Sequence, residues 1–381
     1  MALLYTDEQK DFINMVKEFA DENLSTKAIQ KYDQEGECPP ELFKPAFDMG
    51  LHMLEIPEKY GGAGLSYETT AMIFEKLASY DAGYAITLVS TFVALRSVMI
   101  AGNEAQIQHF ADVIAPGAFA AFALSEADAG TDAGSVQATA TRDGDDYILN
   151  GEKAFITNGS LADIFVGIFR TSDDGNKGLS AFIVEKSRGG ITAGKHEDKM
   201  GLRLSNTTNV TFDHVRVPAS NLIGEEGHGL KVALNSLNLS RAFVATLAVG
   251  IMQRALDESV KYAQKRTQFK QPIMKFEAVQ EMLANMAIQT EASRLMVNNT
   301  MKMMDAGSLV RKEGAMTKTF VTDAVQQVTS DAVQIFGGYG VSKEFPVEKL
   351  MRDCKVFQIF EGTNQIQRVT VAHELDREYR Q

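Results

Sequence analysis

Cysteine is scarce in this sequence. The 381 residues include two, Cys38 and Cys354, which lie far apart and in no paired spacing. Two isolated cysteines supply neither a disulfide framework nor a zinc site, so a reducing compartment is expected. The six histidines show no HExxH or other metal-ligand spacing, and the sequence therefore predicts no metal site.

Basic residues and long apolar runs are also in short supply. There are 38 Lys and Arg against 50 Asp and Glu, a net charge of −12, which argues against nucleic acid as a partner because a nucleic-acid binder carries a basic face. The longest apolar run, residues 242–252, is too short to span a bilayer, and the N-terminus lacks signal-peptide character. We expect no membrane insertion and a cytoplasmic location, or the mitochondrial matrix if the chain is a mature imported form.

The chain divides into helical, strand-rich and again helical parts. Apolar residues recur at helical spacing in the first part, where Thr6 and Gln9 predict a capping box. Turn signals then separate short β-rich pieces at 139–142, 147–156, 163–170, 179–186 and 207–218. Strands without intervening helices predict an antiparallel sheet, and the short connections that follow predict a helical bundle. The expected domains are a helical domain at 1–115, a β domain at 116–225 and a helical bundle at 226–381.

Four segments carry residue types that suit ligand binding, and each has an ordinary structural explanation as well. The Gly- and hydroxyl-rich segment 122–135 is either a ligand-binding loop or a plain polar loop. Phe155 and Thr157 alternate on a strand, where they could seat a flat ring or simply pack. Arg266 suits a phosphate but also a solvated helix face. The glycines of VQIFGGYG (333–340) allow close backbone approach but also suit a helix C-cap, and the dinucleotide fingerprint GxGxxG is not met.

A fifth segment, QIFEGTNQIQR (358–368), places one acid between apolar residues and a glycine. Glu361 there could be a helix-start acid that favours the helix dipole, with Gly-Thr-Asn as cap chemistry. It could instead be a catalytic base whose pKa is raised by a dry cavity. The segment alone does not decide between the two.

Taken together and in this order, the five segments resemble the acyl-CoA dehydrogenase family over nearly the whole chain. The resemblance is most specific at 333–368, with LSEADAGTD (124–132) and GEKAFITNG (151–159) in support. It implies an α+β fold with an N-terminal helical domain, a middle antiparallel β domain and a C-terminal four-helix bundle. It also implies FAD as cofactor, an acyl-CoA substrate, electron-transferring flavoprotein as partner, and a homotetramer active in fatty acid metabolism.

The resemblance carries specific roles onto this sequence. Residues matching flavin-contacting positions of one subunit are Phe122, Leu124, Ser125, Thr131, Phe155, Thr157, Thr363 and Gln365. Residues matching positions that reach the FAD of a neighbouring subunit are Arg266, Phe269, Gln334, Gly337 and Gly338. Residues matching positions around the acyl-CoA are Thr131, Asn176, Asn238, Arg241 and Glu361.

Glu361 matches the catalytic base of the family. The implied reaction is α,β-desaturation of the thioester, in which Glu361 removes the α-proton and the β-hydrogen leaves as hydride to flavin N5. Some relatives carry the base on the bundle helix, at the position of Ser240, where a hydroxyl does not readily take that role. The resemblance also implies that the helix at 87–99 lines the floor of the acyl tunnel. The bulk of Val89, Phe92 and Val93 there favours short, branched or compact aryl acyl groups, although core packing explains these residues equally well.

Departures from the family pattern leave the catalytic residues in place. Ala127-Asp128 replace the usual Pro-Gly, Phe155 stands where many members have Trp, Phe360 replaces Tyr, and Glu277 replaces Gln near the neighbour's FAD. Two alternative functions stay open: an enoyl-CoA reductase, aryl-acrylyl-CoA included, that runs the same chemistry in reverse, and a non-catalytic family member. An acyl-CoA oxidase is disfavoured, since the extra C-terminal helices usual there are absent from the sequence.

Overall fold

The computed structural model describes residues 5–36 and 38–380. The described part opens with helices α1 (Asp7–Asn23), α2 (Thr26–Glu35), α3 (Lys44–Asp48), α4 (Tyr67–Ala78), α5 (Ala82–Ala101) and α6 (Glu104–Ile114). The capping box predicted for α1 is confirmed: the Gln9 N–H donates to Thr6 Oγ1 at 3.2 Å, and the Thr6 N–H donates to Gln9 Oε1 at 3.0 Å. Helix α5 is buried from Ala82 to Val98 and forms the core of this region.

The middle of the chain forms an eight-stranded sheet. Its strands are β1 (Phe119–Ala123), β2 (Thr139–Asp143), β3 (Asp146–Thr157), β4 (Ala162–Arg170), β5 (Leu179–Glu185), β6 (Ile191–Ala193), β7 (Thr207–Pro218) and β8 (Leu222–Ile223). The order is β6-β7-β3-β2-β4-β5-β8, with β1 beside β4. The pairs β2–β3, β3–β7 and β4–β5 are antiparallel as predicted, whereas β1 runs parallel to β4.

The last part is the helical bundle. It consists of α7 (Gly229–Lys265), the short strands β9 (Thr267–Gln268) and β10 (Gln271–Pro272), and the helices α8 (Glu277–Asp305), α9 (Arg311–Phe336), α10 (Val347–Cys354) and α11 (Asn364–Tyr379). The stripe Val321, Val325, Val328 and Ala332 is buried, as its spacing predicts. Helix α9 packs against α7, α8 and α11.

Buried polar contacts join the three parts at one place. The Asn158 side chain, just after β3, donates to Thr87 O of α5 at 2.9 Å and to Ala120 O of β1 at 3.1 Å. Ser236 Oγ of α7 donates to Val93 O of α5 at 2.7 Å. Because buried polar groups need partners, these bonds fix the spacing of α5, α7 and the sheet, and the cavity described below lies between them.

Two helices, α5 and α7, are long and apolar enough to pass a composition test for membrane spans. The apolar stretch of each helix is mostly buried inside the protein. Here both serve as core helices of the fold.

Candidate active site

A cavity of about 230 Å³ lies between α5, the sheet, α7 and the segment that precedes α11. The residues predicted for the site that line it are Phe122, Leu124, Ser125, Thr131, Phe155, Thr157, Arg241 and Glu361. They come from four separate stretches of chain, so the fold brings together what the sequence spreads over some 240 positions.

One wall of the cavity is the loop after β1, which is held in place by hydrogen bonds to backbone and side-chain groups. The Ala154 N–H of β3 donates to Ser125 O at 2.8 Å. The Glu126 carboxylate accepts from the backbone N–H groups of Gln137 and Ala138 at 2.7 and 3.0 Å, and from the buried Lys153 ammonium at 2.8 Å. Part of the segment 122–135 therefore lines the cavity, and these bonds hold its first residues in place.

The strand β3 presents an aromatic ring to the cavity. The alternation of side chains between the two faces of β3 breaks at Phe155. This residue has φ 55° and lies where the pairing of β3 with β7 shifts register. The side chain is 69% exposed, and Thr157 lies on the same wall. A non-glycine residue in the left-handed region is uncommon and points to a local role. An exposed ring held this way is a ready surface for a flat ligand.

Glu361 is the carboxylate among the described residues that line the cavity. It also has a left-handed backbone, with φ 56°. Its backbone carbonyl accepts from Arg241 Nε at 3.2 Å and from Gln367 Nε2 at 3.1 Å. Its Oε2 is buried and has no hydrogen-bond partner among residues 5–36 and 38–380. A buried carboxylate oxygen without a partner is costly, so this atom is kept available for something the cavity admits.

Burial raises the pKa of Glu361 to about 7, while the positive charges of Arg241, Arg96 and Lys318 oppose that rise. The carboxyl group is therefore poised to gain or lose a proton near neutral pH, as a general acid or base requires. The predicted cap chemistry is confirmed at Thr363, which caps α11 by accepting from the Ile366 N–H at 3.3 Å. The role of Glu361 as a base stays a prediction.

Arg241 is a buried cation that bonds to the backbone of this turn. Its Nη1 donates to Asn238 Oδ1 at 2.6 Å, so the Asn238 side chain, three residues earlier on α7, helps to orient the guanidinium. Burial lowers the pKa of Arg241, and the charge of Glu361 opposes that change. Neighbouring Ser240 is buried, donates to Ser236 O at 3.0 Å and accepts from Arg96 Nη1 at 3.0 Å. The Ser240 hydroxyl, at the alternative base position, therefore makes hydrogen bonds within the helix core.

Models of one protein family match three consecutive parts of the chain. The N-terminal domain of acyl-CoA dehydrogenase matches residues 6–118, the middle domain 121–215 and the C-terminal domain 227–375. The chain belongs to the acyl-CoA dehydrogenase family.

Known relatives agree with this assignment. An acyl-CoA dehydrogenase of Bacillus subtilis is 41% identical over 373 residues, 97% of this chain and 98% of the relative. The short-chain-specific acyl-CoA dehydrogenase of Megasphaera elsdenii is 41% identical over 373 residues, 95% of this chain and 96% of the relative. The 3-(aryl)acrylate reductase of Clostridium sporogenes is 36% identical over 376 residues, 98% of this chain and all (100%) of the relative.

Solved structures share the fold. Butyryl-CoA dehydrogenase of M. elsdenii superposes with a TM-score of 0.95 at 39% identity, covering 98% of this chain and 100% of that one. A chain from work on the electron-transferring flavoprotein of Acidaminococcus fermentans also gives 0.95 at 39%, covering 98% and 99%. PigA with FAD and proline gives 0.92 at 29% identity, covering 99% of each chain.

The remaining predicted residues of this acyl-CoA dehydrogenase fall outside the cavity. Arg266, Gly337 and Gly338 line a separate, open surface pocket of about 620 Å³ at the ends of α7 and α9. The Arg266 guanidinium lies 5.7 Å from the ring centroid of Tyr339. Gln334 is exposed in the last turn of α9, and Gly337 is the C-cap with φ 59°, so the glycines also serve the predicted helix end. Phe269 is 90% exposed in the turn between β9 and β10.

Three further positions lie at the edges of the site. Asn176 is exposed in the segment after β4. Its side-chain oxygen packs close to Gly134, where a Cβ would lie 2.1 Å from it. Thr363 is half-buried at the cap of α11, and Gln365 is exposed in its first turn. Glu277, which departs from the family pattern, is exposed at the start of α8.

The sequence patterns did not predict two buried charged side chains near Glu361. Lys318 of α9 is fully buried and bonds to the turn after Glu361. Its position three residues before Val321 continues the apolar stripe of α9, so a lysine at a core position was a visible signal. Arg96 is the charged residue of α5 and pairs with buried Glu55; a lone charge in an apolar helix must find such a partner.

Proposed function

We propose that this chain binds FAD in the cavity and desaturates an acyl-CoA thioester between Cα and Cβ, with Glu361 removing the α-proton. The observation that carries the proposal is the buried Oε2 of Glu361, which has no hydrogen-bond partner in the described part of the chain, on a cavity that Phe155 and Thr157 also line. A weakly acidic α-proton needs a base with a raised pKa in a site that excludes water, and Glu361 meets that need.

The residues present fit a flavin. Phe155 offers an exposed ring for stacking, and Thr157 offers a hydroxyl on the same wall. The Gly- and hydroxyl-rich loop around Thr131 can approach closely, and the similar structure of PigA holds FAD. When bound, FAD supplies the acceptor for the β-hydrogen and its electron pair.

The chain's own residues then have distinct tasks. Arg241 and Gln367 hold the carbonyl of Glu361, which keeps the side chain aimed into the cavity. The backbone N–H of Glu361 is the donor for the thioester carbonyl oxygen as enolate character develops. Leu234, Leu237 and Phe360 exclude water from the reacting carbon. Oε2 of Glu361 takes the α-proton.

The acyl group is short or compact in this proposal. Val93 of α5 and Leu237 of α7 line the cavity, and one helical turn further along both helices Arg96 bonds to Ser240 at 3.0 Å. We infer that these contacts between the two helices limit the room for the acyl chain. Of the other residues considered for the floor, Val89 and Phe92 are buried in the core, at 1% and 0% exposure. Close similarity to a short-chain-specific relative supports the same size range.

The reverse reaction is a second candidate function. The 3-(aryl)acrylate reductase of C. sporogenes matches the chain over almost its entire length. Glu361 with a pKa of about 7 holds both protonation states near neutral pH, so it can also deliver a proton to Cα of an enoyl-CoA. Desaturation then rises as pH increases through about 7, and reduction rises as pH falls through the same range.

Electron-transferring flavoprotein and further copies of this chain are the partners that we propose. The structure from A. fermentans work supports the first. Phe269 supports association with further copies of the chain. Its side chain is 90% exposed and its φ is 49°, so a large apolar ring is held in an uncommon backbone conformation and stays in contact with solvent unless another surface covers it. Ile288 at 64% and Phe320 at 40% exposure add apolar surface on the bundle. These features support a homotetramer in which Arg266, Phe269, Gln334 and the Gly337-Gly338 pair reach the FAD of a neighbour. A cytoplasmic location and a role in fatty acid metabolism complete the proposal.

A panel of thioesters tests the reaction and its direction. The oxidised protein is mixed anaerobically with straight, branched and 3-arylpropionyl CoA thioesters, and the chemically reduced protein with the matching enoyl-CoA compounds. We expect four-carbon or compact acyl groups to bleach the flavin at least about tenfold faster than eight-carbon ones, since each misplaced methylene costs about 1–3 kcal/mol. A coloured protein that no thioester bleaches and no enoyl-CoA reoxidises would refute the proposed function.

Arg266→Ala tests the contact between subunits. We expect about tenfold weaker FAD retention, the loss of one charge-assisted hydrogen bond, and a shift toward smaller oligomers in light scattering. Lys265→Ala is the matched control, because it removes a neighbouring exposed positive charge from the same helix end and is expected to change neither property. Equal FAD content and oligomer size in both variants would contradict the role of Arg266.

A further inference from the structure

Lys318 is a buried cation held by neutral oxygens. Its Nζ donates to the backbone carbonyl of Gly362 at 2.8 Å and to Asn364 Oδ1 at 2.8 Å. The side chain of Asn364 is held in turn by Thr322 Oγ1 at 2.9 Å and Asp323 Oδ1 at 2.8 Å, both acceptors on α9. A lysine is rarely buried unless it is paired with a carboxylate. The burial of Lys318 against two neutral oxygens therefore suggests a specific role for its ammonium group.

The bonds converge on the turn that presents the base. Glu361 and Gly362 are both left-handed, with φ 56° and 90°. Their two carbonyls accept from Arg241, Gln367 and Lys318. The φ of Gly362 is one that residues with a side chain rarely adopt, and a Cβ there would also crowd Gln367 Nε2 at 2.4 Å, so a side chain at position 362 would be strained. Two consecutive left-handed residues persist only where the surroundings hold them.

We propose that Lys318 is a positioning residue for the base: its Nζ ties the Glu361–Gly362 turn to α9 and places a positive charge beside the residue that carries the base. The role in turnover rests on the proposed function, whereas the effect on the turn and on the charge of Glu361 does not. Lys318 itself touches neither the substrate nor the cofactor in this proposal.

The charges around the base come from three helices. Glu361 faces Arg241 of α7, Arg96 of α5 and Lys318 of α9, and all three lower its pKa against the effect of burial. Lys318 in turn faces Glu361 and Asp323, which raise its pKa, and Arg241, which lowers it; burial dominates and brings it to about 7. Removing the cation from position 318 therefore shifts the titration of Glu361 to higher pH.

Three substitutions separate bonding from charge. Lys318→Met removes both, Lys318→Gln keeps a donor without charge, and Lys318→Arg keeps charge and donors. Thr329→Val is the packing control, because Thr329 is also buried on α9 and bonds to Val325 O and Cys354 Sγ, away from the turn. FAD absorbance and thermal unfolding show whether each variant is folded and loaded.

Two readouts decide the proposal. In infrared spectra of protein with ¹³C-labelled glutamate, Glu361→Gln identifies the signal of Glu361, and its titration is followed without turnover. We expect Lys318→Met and Lys318→Gln to move that titration up by about one pH unit, within the range that a nearby charge produces, and Thr329→Val to leave it in place. Lys318→Arg should keep it at or below its wild-type position, because arginine stays charged in the range where Lys318, with a pKa of about 7, loses its proton. The low-pH limb of flavin reduction by acyl-CoA shifts in parallel, with rates at least about tenfold lower in Lys318→Met.

The outcomes distinguish the two proposals. An unchanged titration in Lys318→Gln, together with wild-type rates, overturns the role of Lys318. If Lys318→Met does not fold, the comparison of Lys318→Gln with Lys318→Arg still decides, and identical titrations in these two overturn the role of charge. A shifted titration in a protein that no acyl-CoA reduces supports the role of Lys318 and refutes the proposed function.

Discussion

Glu361→Gln is expected to leave FAD bound and to lower flavin reduction by acyl-CoA by about 10²–10⁴-fold, the usual contribution of a positioned general base. The amide has nearly the same shape but cannot accept the α-proton. Its bonds through the backbone carbonyl to Arg241 and Gln367 do not involve the side chain, so the turn is preserved. Anaerobic stopped-flow reduction measures the loss, and the visible spectrum measures bound flavin.

Two further variants sharpen that result. Glu361→Asp keeps a carboxylate but withdraws it by one methylene, and we expect a loss between wild type and Glu361→Gln, since a misplacement of about 1 Å costs on the order of 10²-fold. Glu374→Gln removes an acid on α11 that pairs with Arg311 and Arg377 outside the cavity, and should change nothing. Retained reduction in Glu361→Gln would mean that another group serves as base.

Arg96→Met is expected to cost about 3–5 kcal/mol of stability, the range for breaking a buried ion pair by removing one partner. Arg96 and Glu55 are 1% and 4% exposed at their side chains. Arg96 Nε donates to Glu55 Oε2 at 2.9 Å, and the guanidinium lies 4.0 Å from the ring centroid of Phe243. The methionine leaves Glu55 buried without its cation, and burial already raises the pKa of that carboxyl despite Arg96.

The double variant Glu55→Leu/Arg96→Met tests that explanation. Two apolar residues of similar volume leave no charge to solvate, so most of the lost stability should return. Denaturant unfolding at one fixed protein concentration makes the comparison, because association also stabilises the folded chain. Lys59→Met breaks an exposed pair with Glu104 and should have little effect. A single variant as stable as wild type would show that Glu55 finds another partner or takes up a proton at no cost.

Local sequence patterns predicted much of the fold. The capping box of α1 and the buried stripe of α9 follow from side-chain spacing, which depends on neighbouring residues only. The strands β2, β3, β4, β5 and β7 lie where turn-bounded β-rich pieces predicted them. The strand β1 was missed: its sequence Phe119–Ala123 has neither alternation nor β-branched residues, and it is a strand because it pairs with β4.

The sequence by itself determined the order of helical and β parts and the segments whose residue types suit a ligand, since these depend on residue type and short-range spacing. Glu361 became the candidate base through the resemblance to the acyl-CoA dehydrogenase family, because its own segment left two interpretations open. The tertiary structure alone decided how the base is held and charged. Arg96, Arg241 and Lys318 lie on three helices and reach Glu361 only after packing, and the pKa of a carboxyl group depends on burial and on charges brought near from anywhere in the chain. The bulge that turns Phe155 toward the cavity likewise depends on its pairing with β7, which no local pattern encodes.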